Sequence, residues 1–314
     1  MPRVAAFDCG TNSLRLLIAD VDPEAGTLVD VDRRMEVVRL GEGVDRTGVI
    51  SAEALERALR VCEFYAALCR DAGVERARFV ATSASRDASN RDDFTAGVAS
   101  VLGVTPEVVP GSEEAALSFV GATADLAAAH PAPYLVVDLG GGSTEFVLGD
   151  DHAEAARSVD IGCVRMAERH LTADPPSHDQ VLAAVADIDA AVALAARDVP
   201  LARTATLVGV AGTVTTVMAR VLGLEQYDPG VLHGASAPVD AVLAACDELI
   251  SMSREDRAAL PYMHPGRVDV IGAGALVWRR IVERVAAEAG ITEVVSSEHD
   301  ILDGVAWSLV LERE

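Results

Sequence analysis

The chain contains one strand–turn–strand pattern twice, and that repeat restricts its architecture more than any other feature. An apolar run from Val4 to Phe7 leads into Asp8-Cys9-Gly10-Thr11-Asn12-Ser13 and a returning run from Leu14 to Ala19. A second run, Tyr134 to Val137, leads into Asp138-Leu139-Gly140-Gly141-Gly142-Ser143 and returns through Glu145 to Leu148. The copies align without a gap at an offset of 130, with Asp8 over Asp138, Gly10 over Gly140, Ser13 over Ser143 and Arg15 over Glu145. Self-similarity of this kind marks a duplicated structural unit. Around each copy, strands alternate with helices, which argues for an α/β fold. Ser51 caps a helix that Gly73 ends, Arg78 to Thr82 is a buried strand, and a third strand runs near Val29 to Leu40. Residues from about Asn90 to Leu102 are helical, Thr105 to Val109 is a strand, and Glu113-Glu114 opens a helix. After the second copy come helices near 164–171 and 178–197, a strand from Ala205 to Val210, and a Gly212-Thr213 turn into a helix. A short strand near Glu293 to Val295 and a last helix from about Ile301 close the chain. Its 314 residues suggest about two domains, with the junction between Gly121 and Pro133 where the pattern restarts.

The turns themselves suggest chemistry. A tight turn of Gly, Ser, Thr and Asn aims backbone N–H groups and hydroxyls inward and forms a nest for phosphate oxygens. An Asp at the end of the entering strand sits beside that nest, where it can hold Mg²⁺ or a metal-bound water. One such turn is most often only a capped hairpin. Two in register, one with three consecutive glycines, point to a pair of loops that clamp a phosphate chain across a cleft between two domains.

Charge narrows the chemistry further. All 26 basic side chains are arginine; the chain has no lysine. A Walker-type loop, a protein kinase site, a Schiff-base enzyme and a Ser-x-x-Lys acylase are therefore excluded. With 49 acidic residues the formal net charge is −23, which argues against a nucleic-acid polymer or a membrane as partner. An anionic substrate must then be met locally by arginines and N–H groups. Arg86, on the loop after a strand, is the first candidate, with Asn90 organising that loop; Arg15 follows the first turn. Arg91 and Arg165 lie on predicted helices, where an arginine more often faces solvent. The five cysteines are scattered, and no long apolar stretch precedes Asp8, so a reducing, cytoplasmic setting is expected. The seven histidines show no metal-ligand spacing and read as surface or loop residues.

The segments AFDCGTNSLRLLI, ATSASRDASN, PGSEEAALSFVGA, VVDLGGGSTEFVLG, IGCVRM and VAGTVTT occur in an order that resembles the exopolyphosphatase/guanosine pentaphosphate phosphatase family. That family lies within the actin, heat-shock ATPase and sugar kinase superfamily. The glycine-rich turns mark only the superfamily, whereas ATSASRDASN and GSEEA make the match specific. It spans Val4 to about Val310 and resembles the short form of the family, without additional C-terminal domains or an HD-phosphohydrolase metal signature.

The resemblance implies two ribonuclease H-like α/β domains of the actin-like ATPase superfamily with an interdomain cleft. The final helix returns to the first domain, giving 1–121 plus about 300–314 for one domain and 122–299 for the other. It implies exopolyphosphatase activity, the metal-dependent release of orthophosphate from the end of linear polyphosphate. Alternatives are hydrolysis of the 5′ terminal phosphate of guanosine pentaphosphate, and a polyphosphate or nucleotide sensor with weak ATPase activity. Glu114, the second glutamate of GSEEA, takes the place of the general base, with Glu113 the fallback; from the residues alone both could simply favour a helix N-terminus. Asp138 and Glu145 fit a Mg²⁺ site, with Mn²⁺ as a substitute, and Asp8, the symmetry mate of Asp138, could contribute to the metal. Gly140, Gly141, Gly142, Ser143 and Thr144 would hold one end of the substrate, and Thr11, Asn12 and Ser13 the other. Gly212 and Thr213 would line the phosphate path or only cap a helix. A homodimer is also expected from the family.

Overall fold

A computed structural model describes residues 1–126 and 129–310. The chain forms two compact units, Met1–Gly121 with Ile301–Glu314, and Ala122–Asp300; residues 311–314 lie outside the described residues. No described helix is long and apolar enough to cross a membrane.

In unit 1, strands β1 (Arg3–Cys9), β2 (Ser13–Asp22), β3 (Thr27–Val37), β4 (Arg76–Ala81) and β5 (Glu107–Val108) form one sheet in the order β3-β2-β1-β4-β5. The first three run as an antiparallel meander, and β4 and β5 join parallel to β1. The period-2 alternation of β1 divides its side chains between two cores. Ala5, Phe7 and Cys9 pack with Leu14, Leu16 and Phe79 against helices Ala52–Ala72 and Arg91–Leu102. There the Phe7 and Phe79 rings stack at 5.5 Å and Phe94 meets Phe79 edge-on. Val4 and Ala6 pack on the other face with Val80, Val109 and residues Ile301, Leu302 and Val305 of helix Ile301–Ser308. Asp8 continues this second face.

Local signals account for most of these boundaries. The Ser51 hydroxyl accepts the Ala54 N–H, and Gly73 closes the helix at φ +70°, a conformation that favours glycine. β3 ends at Val37, short of the expected Leu40, because the N–H groups of Val38 and Arg39 turn to the Asn12 carbonyl. The strand expected over 105–109 shrinks to Glu107–Val108, between two prolines that cannot donate to a ladder. Ser83–Asp87 is a short helix where a loop was expected.

In unit 2, strands β6 (Tyr134–Leu139), β7 (Thr144–Gly149), β8 (Ala153–Val159), β9 (Thr206–Val210), β10 (Ser236–Pro238) and β11 (Glu293–Ser296) form a sheet in the order β10-β11-β9-β6-β7-β8. Read from β8 to β11, it repeats the order and strand directions of unit 1, with β10 added at the edge. β8 was not anticipated, because Glu154 and Arg157 interrupt its apolar pattern. The core packs helices His178–Asp198, Val239–Ser251 and Ile271–Ala289 around the sheet. Trp278 lies so close to Gly209 that an added Cβ there would sit 2.6 Å from its ring.

Candidate active site

The two turns repeat in three dimensions as they do in sequence. β1 pairs with β2 so that Asp8 faces Arg15, and β6 pairs with β7 so that Asp138 faces Glu145. Each turn closes on the same hydrogen bond, from Gly10 N–H to the Ser13 carbonyl at 3.0 Å and from Gly140 N–H to the Ser143 carbonyl at 3.1 Å. In both, neighbouring segments draw the turn carbonyls away. Val38 and Arg39 donate to the Asn12 carbonyl, and Gly41 donates to that of Thr11. Cys163 donates to the Gly140 carbonyl, and Val164 and Arg165 to that of Gly141, while the Arg165 guanidinium takes the Gly142 carbonyl at 2.7 Å. With the carbonyls engaged, the N–H groups of Thr11, Asn12, Gly141, Gly142 and Ser143 make no hydrogen bond among the described residues. The buried Thr11 Oγ1 has no partner either. Unpaired backbone donors in a tight turn are suited to an anion-binding nest.

Glycines allow the close approaches behind these nests. An added Cβ on Gly41 would sit 2.3 Å from Thr11 Cγ2, and one on Gly162 would sit 2.4 Å from the Gly141 carbonyl group. Gly162 belongs to the IGCVRM segment, but its role depends on a tertiary contact that local spacing does not reveal.

Unit 1 also contributes charged groups. Helix Gly111–Thr123 begins with Glu113 and Glu114, and the structure separates them. Glu114 is only 7% exposed and pairs with Arg86 Nη1 at 2.5 Å, while the same nitrogen donates to the Val109 carbonyl at 3.0 Å. Burial pushes the Glu114 carboxyl above its ordinary range; Arg86 opposes this by charge and hydrogen bond, nearby Asp8 adds to it, and Thr82 lowers it by a hydrogen bond. Glu113 instead pairs with Arg78, which also binds Glu107 and the Ser308 hydroxyl. Asp8 accepts two hydrogen bonds from Arg15, at 2.7 and 2.9 Å. The Asn90 amide bonds both the N–H and the carbonyl of Ile50, which ties the segment after Arg86 to the lead into helix Ala52–Ala72.

In unit 2, Asp138 and Glu145 are both buried, and Glu145 accepts a hydrogen bond from Ser158 at 2.6 Å. The Thr144 hydroxyl donates to the Ile161 carbonyl and stays in the interior. Gly212 and Thr213 begin helix Ala211–Leu222 after β9, which lies beside β6 with Val210 opposite Asp138. Ala211 takes φ +71°, a left-handed conformation that is strained for alanine. The Arg267 guanidinium lies against Gly212, within 2.2 Å of where a Cβ would be, and Arg267 also approaches the Tyr227 ring. Arg267, in the His264-Pro265-Gly266-Arg267 turn, was not anticipated as a site residue; only the folded chain brings that turn to the start of the helix.

Residues 17–308 match the family model described as the Ppx/GppA phosphatase family. The chain belongs to that family. Exopolyphosphatase 2 of Mycobacterium tuberculosis is 49% identical to it, over 98% of this chain and 99% of that protein. The crystal structure of an exopolyphosphatase-like protein, 45% identical, superposes with a TM-score of 0.94 over 98% of this chain and 97% of the other. The Aquifex aeolicus Ppx/GppA enzyme, 27% identical, gives 0.80 over 98% and 99%. Like its Ppx/GppA neighbours, the chain has the two-domain actin-like ATPase fold, and its family is one of phosphoanhydride hydrolases.

Proposed function

We propose that the protein is an exopolyphosphatase that hydrolyses the terminal phosphoanhydride of linear polyphosphate. The observation that carries the reading is Glu114, a buried carboxylate at a helix start, held by a guanidinium and raised in pKa by its surroundings. A carboxylate raised toward neutrality is suited to take a proton from water. In this reading Glu114 accepts a proton from the attacking water, whose oxygen bonds to the terminal phosphorus as the bridging P–O bond breaks. Orthophosphate and a chain one unit shorter leave. The N–H groups of Thr11, Asn12, Gly141, Gly142 and Ser143 hold phosphate oxygens, together with the Thr11 and Ser13 side chains, and Gly10 and Gly140 set the turns. Arg86 orients Glu114 and offsets charge on the substrate, and Arg165, Gly212, Thr213 and Arg267 line the path of the remaining phosphates.

Asp138 and Glu145 fit a hard divalent cation, because Mg²⁺ typically takes one or two protein carboxylates and completes its shell with water and phosphate oxygens. Bound there, Mg²⁺ or Mn²⁺ would neutralise phosphate charge. Asp8 then serves chiefly to hold Arg15, which already binds it. The net charge of −23 supports a reading without nucleic-acid or membrane partners. The family resemblance also brings a cytoplasmic homodimer into the proposal, and a monomeric mass by light scattering would remove the dimer.

The test is to supply polyphosphate of defined length, guanosine pentaphosphate or ATP with Mg²⁺ or Mn²⁺ and measure orthophosphate. Polyphosphate should be the preferred substrate; preference for guanosine pentaphosphate would replace it, and no release from any would overturn the enzyme reading. Glu114→Gln should lower turnover by about 10²–10⁴-fold while polyphosphate still binds. Normal turnover in that variant would remove Glu114 as the base.

A further inference from the structure

Two histidines and an aspartate, far apart in sequence, converge within unit 2. Asp125 Oδ2 lies 2.8 Å from His233 Nε2 and 3.2 Å from His299 Nδ1. The two imidazole rings are 4.1 Å apart between centroids, and the three ligand atoms lie within 4.8 Å of one another. We propose that Asp125, His233 and His299 bind a divalent transition cation of the Zn²⁺ type, at a site separate from Asp138 and Glu145.

The donor chemistry supports this class of ion. Imidazole nitrogen suits borderline cations such as Zn²⁺, whereas an all-oxygen pair such as Asp138 and Glu145 suits Mg²⁺. Three protein ligands with an outer position open to water are a common Zn²⁺ arrangement. In a tetrahedral site with ligand bonds of about 2.1 Å, donor atoms sit about 3.4 Å apart. The two Asp125 contacts lie close to that spacing, and His299 is exposed enough to adjust.

The backbone holds the ligands in place before any cation arrives. Gly234 N–H donates to the Ser296 carbonyl at 2.9 Å, and the Ser296 hydroxyl to the Leu232 carbonyl at 2.6 Å, so the loop of His233 is fastened to the strand leading to His299. Leu126, next to Asp125, is buried, and its Cδ2 lies 4.0 Å from where a Cβ on Gly234 would sit. The Ser297 hydroxyl bonds the backbone of His299 and lies 3.4 Å from His233 Nδ1, where it can accept the ring proton when Nε2 binds a metal. With no metal, Glu298 N–H at 3.3 Å from Nδ1 favours a proton on Nε2, donated to Asp125. Binding therefore shifts the His233 tautomer. Asp125 follows the first passage of the chain between its two units, and His299 precedes the second. A bound cation would tie both passages to the His233 loop.

The experiment uses the full chain, stripped with a chelator and kept free of phosphate. Zn²⁺ is titrated in competition with a chromophoric chelator, and Co²⁺ is added for its visible spectrum. We expect one tight Zn²⁺ equivalent, a Co²⁺ absorption band typical of a four- or five-coordinate site, and at least about a ten-fold loss of affinity in Asp125→Asn and in His299→Gln. Equal Zn²⁺ affinity in the wild type and both variants would overturn the site and leave only a hydrogen-bonded His–Asp–His network. Independently of any variant, ¹⁵N spectra of the wild-type imidazoles should show His233 Nε2 and His299 Nδ1 shifting on addition of one Zn²⁺ equivalent. Unmoved resonances would also overturn the proposal.

Discussion

The Arg86–Glu114 pair makes a quantitative prediction about pH. Glu114 is buried, and burial raises its carboxyl while Arg86 holds it down. At an effective dielectric of about 20, opposite charges about 4 Å apart attract by about 4 kcal/mol. The Arg86 side chain is 22% exposed, and a hydrogen bond to a charged group has a net value of about 1.5–3 kcal/mol, so the lower range applies. Removing the guanidinium takes that stabilisation away from the carboxylate and so raises the Glu114 carboxyl further. Arg86→Gln is the suitable change, because it removes the charge and keeps a neutral polar side chain. Protonated Glu114 cannot take a proton from water, so turnover rises with pH through its pKa. Raising that pKa moves the acidic limb of the kcat profile to higher pH by the same amount. Orthophosphate release at saturating polyphosphate, followed across pH, measures the limb. The deficit of the variant should shrink as pH rises. A higher KM alone, or a uniform drop in kcat with the limb unmoved, would refute the coupling and leave Arg86 as a substrate contact only.

Two other variants test the packing behind the site. Gly162→Ala places a Cβ 2.4 Å from the Gly141 backbone, which cannot move as a flexible side chain could. It should destabilise the fold by about 1–3 kcal/mol in urea titrations and weaken polyphosphate binding by displacing the second nest; wild-type values for both would refute the close approach. Gly304→Ala brings a Cβ to 2.0 Å from the Leu117 carbonyl, on the helix whose first turn carries Glu114. The expected cost is again about 1–3 kcal/mol, seen as a lowered thermal midpoint, and turnover should fall because the base moves with its helix. An unchanged midpoint would show that the two helices can separate without penalty.

The sequence revealed the parts of the site that depend on local period. Strand alternation placed Asp8 and Asp138 at the ends of their strands, and the register of both hairpins follows from the 130-residue offset. What depends on longer range was not visible. Glu113 and Glu114 are neighbours about 100° apart around a helix, and only the place of Arg78 on β4 decides which carboxylate is drawn away. Asn90 and Thr144 belong to motif segments, yet their polar groups are taken by Ile50 and Ile161, contacts set by tertiary packing. The histidines showed no metal spacing because Asp125, His233 and His299 come together from three distant segments.

The absence of lysine places a further condition on the chemistry. An arginine cannot give up its charge when buried, so near a carboxylate it is balanced only by that carboxylate. Around the first turn this balance is close: Arg15 pairs with Asp8, and Arg86 with Glu114. The paired side chains thus supply little net positive charge to a polyanion. In the proposed mechanism, a chain of −23 would then draw a polyanion chiefly through groups that carry no countercharge, the N–H donors of the turns and a cation at Asp138 and Glu145, with Arg165 and Arg267 beside them. The duplicated turn is therefore more than a trace of the fold's origin. It provides polarity that does not titrate and cannot be neutralised by the acids around it, while the paired arginines are left to tune the carboxylates beside them.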